Sequence, residues 1–219
     1  MAEVKFCGMR REDDVRMAAR LGAAYVGVVF TTSPRRVTPE EAAAILAVLE
    51  DAPVRRVGVF GTEPLDFIAS TARTAGLHVV QLVGERDPAD YRAVRDSLGL
   101  ESWHVVRVRP DAIPGLDAAG FRLGDATLLD AWSPTALGGT GHSFDWGQAA
   151  RQLDQLRQGR RLVLAGGLTP ANVREAIDRL APDVVDVSSG VELSRGVKDH
   201  VMMQAFVAAA TGAPTKRHV

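Results

Sequence analysis

The chain has 219 residues, 46% of them apolar, which is enough for one well-filled core or two small ones. A net charge of −1 argues against a nucleic-acid binder, and a single cysteine excludes an intrachain disulfide framework and suits a reducing cytoplasm. The first apolar run is interrupted by charges and no apolar stretch reaches about 18 residues, so we expect neither export nor membrane insertion.

Eight short apolar runs recur along the chain, roughly 20 to 35 residues apart. Most are rich in β-branched residues, as buried parallel strands are. The runs are Val4–Cys7, Tyr25–Phe30, Val57–Phe60, Val79–Val83, Trp103–Val108, Ala126–Ala131, Leu162–Ala165 and Val184–Val187. We therefore predict eight buried strands.

Most segments between these runs have the pattern of amphipathic helices. Residues 42–49 and 173–180 place apolar side chains at positions i, i+3, i+4 and i+7. Three capping residues precede a proline that suits the first helical position: Thr38-Pro39, Asp87-Pro88 and Thr169-Pro170. Three glycines are expected to end helices: Gly22, Gly76 and Gly99. Strand and helix therefore alternate along the chain.

This alternation predicts a single (β/α)8 barrel over residues 1–210. The alternative is a doubly wound open sheet, but the turn after the first strand, Cys7-Gly8-Met9-Arg10, lacks the G-x-G-x-x-G pattern. The fifth helix should be short or missing, because residues 111–125 contain a proline and three glycines. The polar tail 211–219 is predicted to be disordered.

Two side chains at predicted strand ends are candidates for acid–base chemistry, because barrel enzymes place function at the C-terminal ends of their strands. Cys7 ends the first strand, where a nearby cation would favour its thiolate, although a lone cysteine is more often a small buried hydrophobe. Asp130 ends the sixth strand within an apolar run, where a raised pKa would suit a general acid; the alternative is a cap or turn residue.

Several charged residues are also expected near these two positions. Lys5 faces inward on the first strand, and Asp186 on the eighth strand is its natural ion-pair partner where the barrel closes. Arg107 and Arg109 share a face near the top of the fifth strand. Arg35 and Arg36 follow the second strand, where one guanidinium fork can clamp a carboxylate; the alternative is a solvated basic loop.

Glycine-rich loops follow the last two strands and predict a phosphate site. Gly166 and Gly167 follow the seventh strand, and Ser189 and Gly190 follow the eighth. Backbone N–H groups can approach an anion there, and a helix beginning after Ser189 would add its positive end. A further glycine-rich loop after the sixth strand resembles a lid that closes over substrate; its members are Gly138, Gly139, Thr140 and Gly141.

Taken together, these motifs resemble the phosphoribosylanthranilate isomerases of tryptophan biosynthesis. The matching stretches, in chain order, are KFCGMR from Lys5, GVVF from Gly27, SPRRV from Ser33, GVF from Gly58, QLVG from Gln81, LLDA from Leu128, GGTGHSFDW from Gly138, AGGLTPANV from Ala165, DVSSGVE from Asp186 and GVKD from Gly196. The ordered set is specific even though each stretch alone is weak.

The resemblance implies a (β/α)8 enzyme that performs an Amadori rearrangement of N-(5'-phosphoribosyl)anthranilate with no metal or cofactor. Carried over to this chain, Cys7 is the general base and Asp130 the general acid. Arg35 holds the anthranilate carboxylate, and Asp186 faces the substrate amine. The glycine loops hold the phosphate through the four residues Gly166, Gly167, Ser189 and Gly190.

One position departs from the family pattern. Val83 stands where the family usually has a histidine, which changes the polarity of the pocket but neither the acid nor the base. Two alternatives remain: another phosphosugar isomerase or epimerase on the same barrel, or a non-catalytic phosphoribosyl binder. The expected partner is a small phosphoribosyl substrate, without nucleic acid or membrane. The expected state is a cytoplasmic monomer.

Overall fold

The computed structural model describes residues 1–108, 123–131 and 160–212. Eight parallel strands close into a barrel in chain order, with the first strand paired to both the second and the eighth. The strands are β1 Glu3–Phe6, β2 Tyr25–Val29, β3 Arg55–Phe60, β4 Val79–Leu82, β5 Glu101–Val108, β6 Ala126–Ala131, β7 Arg161–Ala165 and β8 Val184–Val187. The predicted (β/α)8 barrel is confirmed, and the open-sheet alternative is excluded.

Six helices lie in the described part of the chain and connect these strands. They are α1 Glu12–Arg20, α2 Pro39–Leu46, α3 Leu65–Ala75, α4 Pro88–Leu98, α5 Val173–Leu180 and α6 His200–Thr211. None of these helices has both the length and the apolar character that crossing a bilayer requires. Most of the segment expected to carry a weak fifth helix lies outside the described residues, so that expectation remains a prediction.

Two of the three predicted helix starts are confirmed. Thr38 caps α2 in a capping box, in which its side chain accepts the Glu41 N–H and the Glu41 carboxylate accepts the Thr38 N–H. Asp87 caps α4 by accepting the Ala89 N–H. Two predicted stops are confirmed, because Gly76 and Gly99 end α3 and α4 in the left-handed conformation. Helix α1 ends at Arg20 with Leu21 as its cap, and Gly22 follows the cap at a φ of +75°.

The third predicted start was wrong by three residues. Helix α5 begins at Val173 rather than at Thr169-Pro170. The Asn172 side chain is responsible, because its oxygen accepts the Thr169 N–H at 2.8 Å and its amide donates to the Gly167 carbonyl at 3.0 Å. These bonds form a turn before the helix and attach that turn to the predicted phosphate loop.

The helix expected to begin after Ser189 was also a wrong prediction. Only one 3-10 turn, Ser189–Val191, follows β8. The chain then enters a short antiparallel hairpin of β9 Glu192–Ser194 and β10 Val197–Lys198. Extended backbone here brings Glu192 and Lys198 into an ion pair with each other. The long helix α6 starts only at His200, so its N-terminus does not begin in the loop after β8.

The core has two layers. Between strands and helices lies a large apolar layer that includes Val15 on α1, Ile68 on α3 and Phe206 on α6. Inside the barrel, a second cluster surrounds Trp103, which is fully buried and meets the ring of Tyr25 edge-on at 5.0 Å. This cluster fills the interior of the barrel below the C-terminal ends of the strands, where barrel enzymes place their sites.

Candidate active site

A cavity of about 150 Å³ lies at the C-terminal ends of the strands. It collects every described residue of the predicted site except Arg35. These residues are Cys7, Asp130, Gly166, Gly167, Asp186, Ser189 and Gly190. Residues separated by up to 183 positions in the sequence therefore share one small space, which the closed barrel order makes possible.

Asp130 occupies the penultimate position of β6, paired in register with Arg107 on β5 and Ala165 on β7. The residue is partly buried. Burial raises the pKa of Asp130 to about 6, the nearby negative charge of Asp186 adds to the rise, and Arg107 and Lys5 oppose it. A carboxyl group with this pKa can hold and release a proton near neutral pH, as a general acid must.

Cys7 follows β1 directly, and its N–H donates to the Val187 carbonyl at 2.9 Å. The thiol is free and partly buried. Burial raises the pKa of Cys7, which Lys5 and Lys198 oppose through their positive charges and Asp186 reinforces. In the free protein the thiol therefore holds its proton more firmly than an exposed cysteine does, although two cations oppose this effect.

The predicted pair of Lys5 and Asp186 is confirmed. The two residues are in register across the seam between β1 and β8, and Lys5 Nζ lies 2.6 Å from Asp186 Oδ2. Lys5 is fully buried and also donates to Gln81 Oε1 at 3.1 Å. Burial alone would lower the pKa of Lys5, but the charges of Asp186 and Cys7 raise it above its usual value. Lys5 therefore remains a cation inside the barrel.

Asp186 has one oxygen to spare. Its Oδ2 accepts from Lys5, whereas the buried Oδ1 makes no hydrogen bond to any described residue. A buried acceptor without a partner is costly in free energy. Because Asp186 lines the cavity, this oxygen is available to a polar group of a bound ligand.

The two glycine loops lie against each other at the edge of the cavity. Gly166 and Gly167 have φ angles of +88° and +65°, which side-chain-bearing residues rarely adopt. A Cβ at Gly190 would come within 1.9 Å of the Leu168 carbonyl oxygen. Both loops thus require glycine, the first for its backbone angles and the second for its close approach. Their bare backbone can cradle an anion.

Arg35 lies outside the cavity lining, and its guanidinium group is already engaged. Its Nε and Nη2 donate to the two carboxylate oxygens of Glu192 at 2.7 Å and 2.6 Å. Both side chains are largely buried. The bidentate fork expected for a substrate carboxylate is therefore formed with Glu192, and Nη1 makes no hydrogen bond to any described residue.

A second, larger cavity of about 690 Å³ opens beside the ends of β3, β4 and β5. Val83 and Arg107 both contribute to its wall. Val83, which departs from the family pattern, thus gives this wall an apolar patch. The predicted lid residues Gly138, Gly139, Thr140 and Gly141, together with Arg109, lie outside the described residues.

Three polar residues of the site were not predicted as site residues. Gln81 lines the cavity and contacts Lys5, while Glu192 and Lys198 form a buried charged cluster with Arg35. All three lie inside stretches that match the family motifs, so the signal was present. Gln81 lies on β4 in register with the interior residue Trp103, so strand alternation could have revealed it. Alternation does not reveal Glu192 and Lys198, because they belong to a hairpin outside the barrel strands.

Comparison with known proteins assigns these features to one family. The sequence profile of N-(5'-phosphoribosyl)anthranilate (PRA) isomerase matches residues 4–209. The N-(5'-phosphoribosyl)anthranilate isomerase of Geobacter sp. strain M21 is 44% identical over 212 residues, which cover 96% of this chain and 98% of the relative. The match thus extends over nearly the whole length of both chains.

Solved structures agree with the sequence relatives. Phosphoribosyl anthranilate isomerase from Thermotoga maritima superposes with a TM-score of 0.87 at 37% identity, covering 97% of this chain and all of that one. Monomers generated from that dimeric enzyme have also been solved. A phosphoribosyl anthranilate isomerase bound to reduced 1-(o-carboxyphenylamino)-1-deoxyribulose 5-phosphate has a TM-score of 0.83 at 34% identity, covering 97% of this chain and 100% of that chain.

Proposed function

The chain belongs to the N-(5'-phosphoribosyl)anthranilate isomerase family, and we propose that it catalyses the Amadori rearrangement of N-(5'-phosphoribosyl)anthranilate in tryptophan biosynthesis. The product is 1-(2-carboxyphenylamino)-1-deoxyribulose 5-phosphate. The observation that carries this proposal is the single cavity shared by Cys7, Asp130 and the two glycine loops. An acid, a base and an anion cradle are the parts that this reaction requires.

Asp130 acts as the general acid. It donates its proton to the furanose ring oxygen, the bond from that oxygen to C1' breaks, and the sugar opens to a Schiff base. The raised pKa of Asp130, about 6, supports this role, because an ordinary aspartate would hold no useful fraction of protons at neutral pH.

Cys7 acts as the general base. Its thiolate removes the proton from C2', the electron pair moves into the C1'–C2' bond, and the iminium nitrogen is neutralised to give an enolamine. Tautomerisation of the enolamine then gives the ketone. The positive charge of Lys5 favours the thiolate form that this step requires.

The remaining residues hold the substrate. Gly166, Gly167, Ser189 and Gly190 bind the phosphate through backbone N–H groups. Asp186 Oδ1 accepts a hydrogen bond from the substrate amine, which would give this buried oxygen the partner it lacks among the described residues. Arg35 contacts the anthranilate carboxylate through Nη1, while Glu192 fixes the rest of its guanidinium group.

The thiol and the exposed surface bear on the location and the assembly of the enzyme. A free catalytic thiol suits a reducing compartment, so we infer a cytoplasmic enzyme. We also propose a monomer, because few large apolar side chains of the described residues are exposed: Met1, Leu193 and Val201. Light scattering on the purified protein tests this proposal. A mass of two chains would contradict it and would match the dimeric state of the Thermotoga maritima relative.

The test of function is a kinetic assay with N-(5'-phosphoribosyl)anthranilate prepared in situ from anthranilate and a phosphoribosyl donor. We expect turnover by the purified protein without added metal or cofactor, and growth rescue of a strain that lacks this isomerase. Cys7→Ala should abolish the rescue. Absence of turnover by folded protein would contradict the proposal.

A further inference from the structure

Lys198 is the second buried ammonium group at the C-terminal end of the barrel, and the mechanism above assigns it no step of its own. Its side chain is fully buried. Nζ donates to the Cys7 carbonyl at 2.7 Å, to the Ser188 carbonyl at 3.0 Å and to Glu192 Oε1 at 3.1 Å. An ammonium group has three protons, so these contacts satisfy it completely.

These contacts join three loops of the proposed site. The Cys7 carbonyl belongs to the loop after β1, and the Ser188 carbonyl begins the phosphate loop after β8. Glu192 holds Arg35, which lies in the loop after β2. One side chain thus connects, through hydrogen bonds, the base, the phosphate cradle and the arginine proposed for the substrate carboxylate.

The loops joined by Lys198 also touch one another directly. A Cβ placed on Gly8 would lie 2.5 Å from Arg35 Cδ and 3.0 Å from Ser188 Oγ. The three loops therefore pack without spare room around the residue that follows the base. A displacement of one loop would move the other two, which gives the ammonium group control over the geometry of the site.

The backbone of Lys198 is fixed independently of its side chain. Its N–H donates to Asp14 Oδ2 of α1 at 3.2 Å, and the next residue, Asp199, caps α6. The hairpin would therefore retain its attachments without the ammonium group. Since burying a charge costs more free energy than burying an apolar side chain of the same size, stability alone does not explain a lysine here.

We propose that Lys198 is a positioning residue for the isomerisation, which holds the three loops in register and supplies positive charge near the Cys7 thiol. This inference rests on the proposed function, because it concerns the base of that reaction. It adds a role for the GVKD stretch, which the acid, the base and the phosphate loops do not use.

The charge environment of Cys7 supports this role. Burial raises the pKa of the thiol, Lys5 lowers it, Asp186 raises it and Lys198 lowers it. Arg35 is also close enough to interact with the thiolate. Lys5 is neutralised by Asp186 at 2.6 Å, whereas Lys198 shares its carboxylate partner with Arg35, leaving two cations for one anion. Burial lowers the pKa of Lys198 and Glu192 opposes this fall, so Lys198 adds to the net positive charge of the cluster while it holds its proton.

The decisive experiment measures the rate of Cys7 alkylation by iodoacetamide as a function of pH in the full-length enzyme. Cys7 is the single cysteine of the chain, so no other thiol contributes to the measured alkylation. Lys198→Met should move the midpoint of the alkylation profile upward by about one pH unit, the usual effect of losing a nearby opposite charge. Lys198→Arg should keep the midpoint near that of the unmodified enzyme.

Asp14→Asn is the matched control, because it weakens a contact to the same residue without removing the ammonium group. Its alkylation midpoint should not move, even if the variant is less stable. An unmoved midpoint in folded Lys198→Met, or an equal rise in Asp14→Asn, would overturn the proposal.

A second variant covers a failure of Lys198→Met to fold. Lys198→Gln is also neutral but retains a hydrogen-bond donor, and it should raise the midpoint in the same way. If neither variant folds, Glu192→Gln is the deciding variant, and its alkylation midpoint should shift in the opposite direction. Without the Glu192 carboxylate, the charges of Lys198 and Arg35 are no longer neutralised and stabilise the Cys7 thiolate more strongly. Its midpoint should fall; an unchanged or higher midpoint would overturn the proposal.

Measuring turnover as well as alkylation distinguishes a failure of this inference from a failure of the proposed function. If the function is right, Lys198→Met should lower kcat/KM about tenfold at pH 7, and a higher pH should not restore it, because Asp130 loses its proton as the Cys7 thiolate forms. If the unmodified enzyme does not isomerise the substrate, the proposed function fails, yet the alkylation profiles still show whether Lys198 acts on Cys7.

Discussion

The two ends of the barrel use charged residues in opposite ways. At the N-terminal end of the strands, the ion pairs Arg161–Glu3 and Arg55–Glu101 lie partly in water, and the side chains of the first pair are 38% and 46% exposed. At the C-terminal end, the pair of Lys5 and Asp186 is almost completely buried. Both ends contain ion pairs, but only the pair at the C-terminal end is buried away from water.

This difference indicates what each end is for. Exposed pairs add little to the free energy of unfolding. Buried charges are costly, and they are retained where their geometry serves chemistry. Asp186 Oδ1 at the C-terminal end, buried and without a partner among the described residues, marks this end as incomplete without a ligand.

The sharpest way to test this contrast is to remove one cation from each end. Lys5→Met leaves the buried carboxylate of Asp186 unpaired and should lower the free energy of unfolding by about 3–5 kcal/mol. Arg161→Met breaks an exposed pair and should cost about 0–1 kcal/mol. Urea unfolding followed by circular dichroism measures both. Equal losses in the two variants would remove the distinction between the two ends.

The next largest effect should fall on the rate. Cys7→Ser retains the shape of the side chain but replaces the base by a hydroxyl group, and we expect kcat to fall by about two powers of ten. Steady-state kinetics measures this effect. Glu3→Gln, at the opposite end of β1, is the control and should leave kcat within about twofold. A Cys7→Ser enzyme with nearly full activity would exclude Cys7 as the base.

Asp130 should lower the free energy of unfolding when its side chain is ionised. Its folded pKa of about 6 lies above the ordinary aspartate value of 3.8, so the ionised side chain destabilises the fold. The cost is absent below about pH 4, grows as the pH rises and is complete above about pH 6. Asp130→Asn should therefore raise the free energy of unfolding at pH 7.5 by on the order of 2 kcal/mol.

The measurement for Asp130→Asn is chemical unfolding at several pH values between 5 and 7.5. The advantage of the variant should shrink as the pH falls, because the natural carboxyl group becomes protonated and neutral as well. A variant that is equally stable to the natural protein at pH 7.5 would show that Asp130 is not destabilised by burial.

The smallest predicted effect concerns the phosphate loops. Gly190→Ala places a Cβ against the Leu168 carbonyl oxygen and must push the two loops apart, so KM should rise about tenfold while kcat falls less. Gly22→Ala, at a positive φ of 75° but with open space around it, is the matched control. It should reduce stability by about 1 kcal/mol and leave KM unchanged.

Much of the fold could be predicted from sequence because β-branched runs and caps act locally. The boundaries of β6 and β8 and the capping box at Thr38 are confirmed as predicted. The start of α5 was wrong because the Asn172 side chain forms a competing turn. A helix after Ser189 was wrong because the chain there forms a hairpin.

Some contacts of the site could likewise be predicted from the sequence, and others could not. The pair of Lys5 and Asp186 followed from strand alternation and from the closure of the barrel, which are regular features. The contact between Arg35 and Glu192 joins residues 157 positions apart through two loops, and no periodicity specifies it. Only the folded chain shows that the predicted carboxylate clamp already holds a carboxylate of its own.

The central claim is that Asp130 and Cys7 act together as acid and base in one cavity, and the pH dependence of kcat/KM tests it most directly. The reaction needs Asp130 protonated and Cys7 ionised. Since the pKa of Asp130 is about 6 and that of Cys7 is raised, kcat/KM should be level between about pH 6 and the pKa of Cys7 and fall tenfold per pH unit below pH 6.

Asp130→Asn should remove this transition, so that its much lower residual kcat/KM rises tenfold per pH unit through pH 6 and 7 as Cys7 ionises. A profile in which Asp130→Asn keeps both the level region and the bend near pH 6 would contradict the account, because the acid would then be another group.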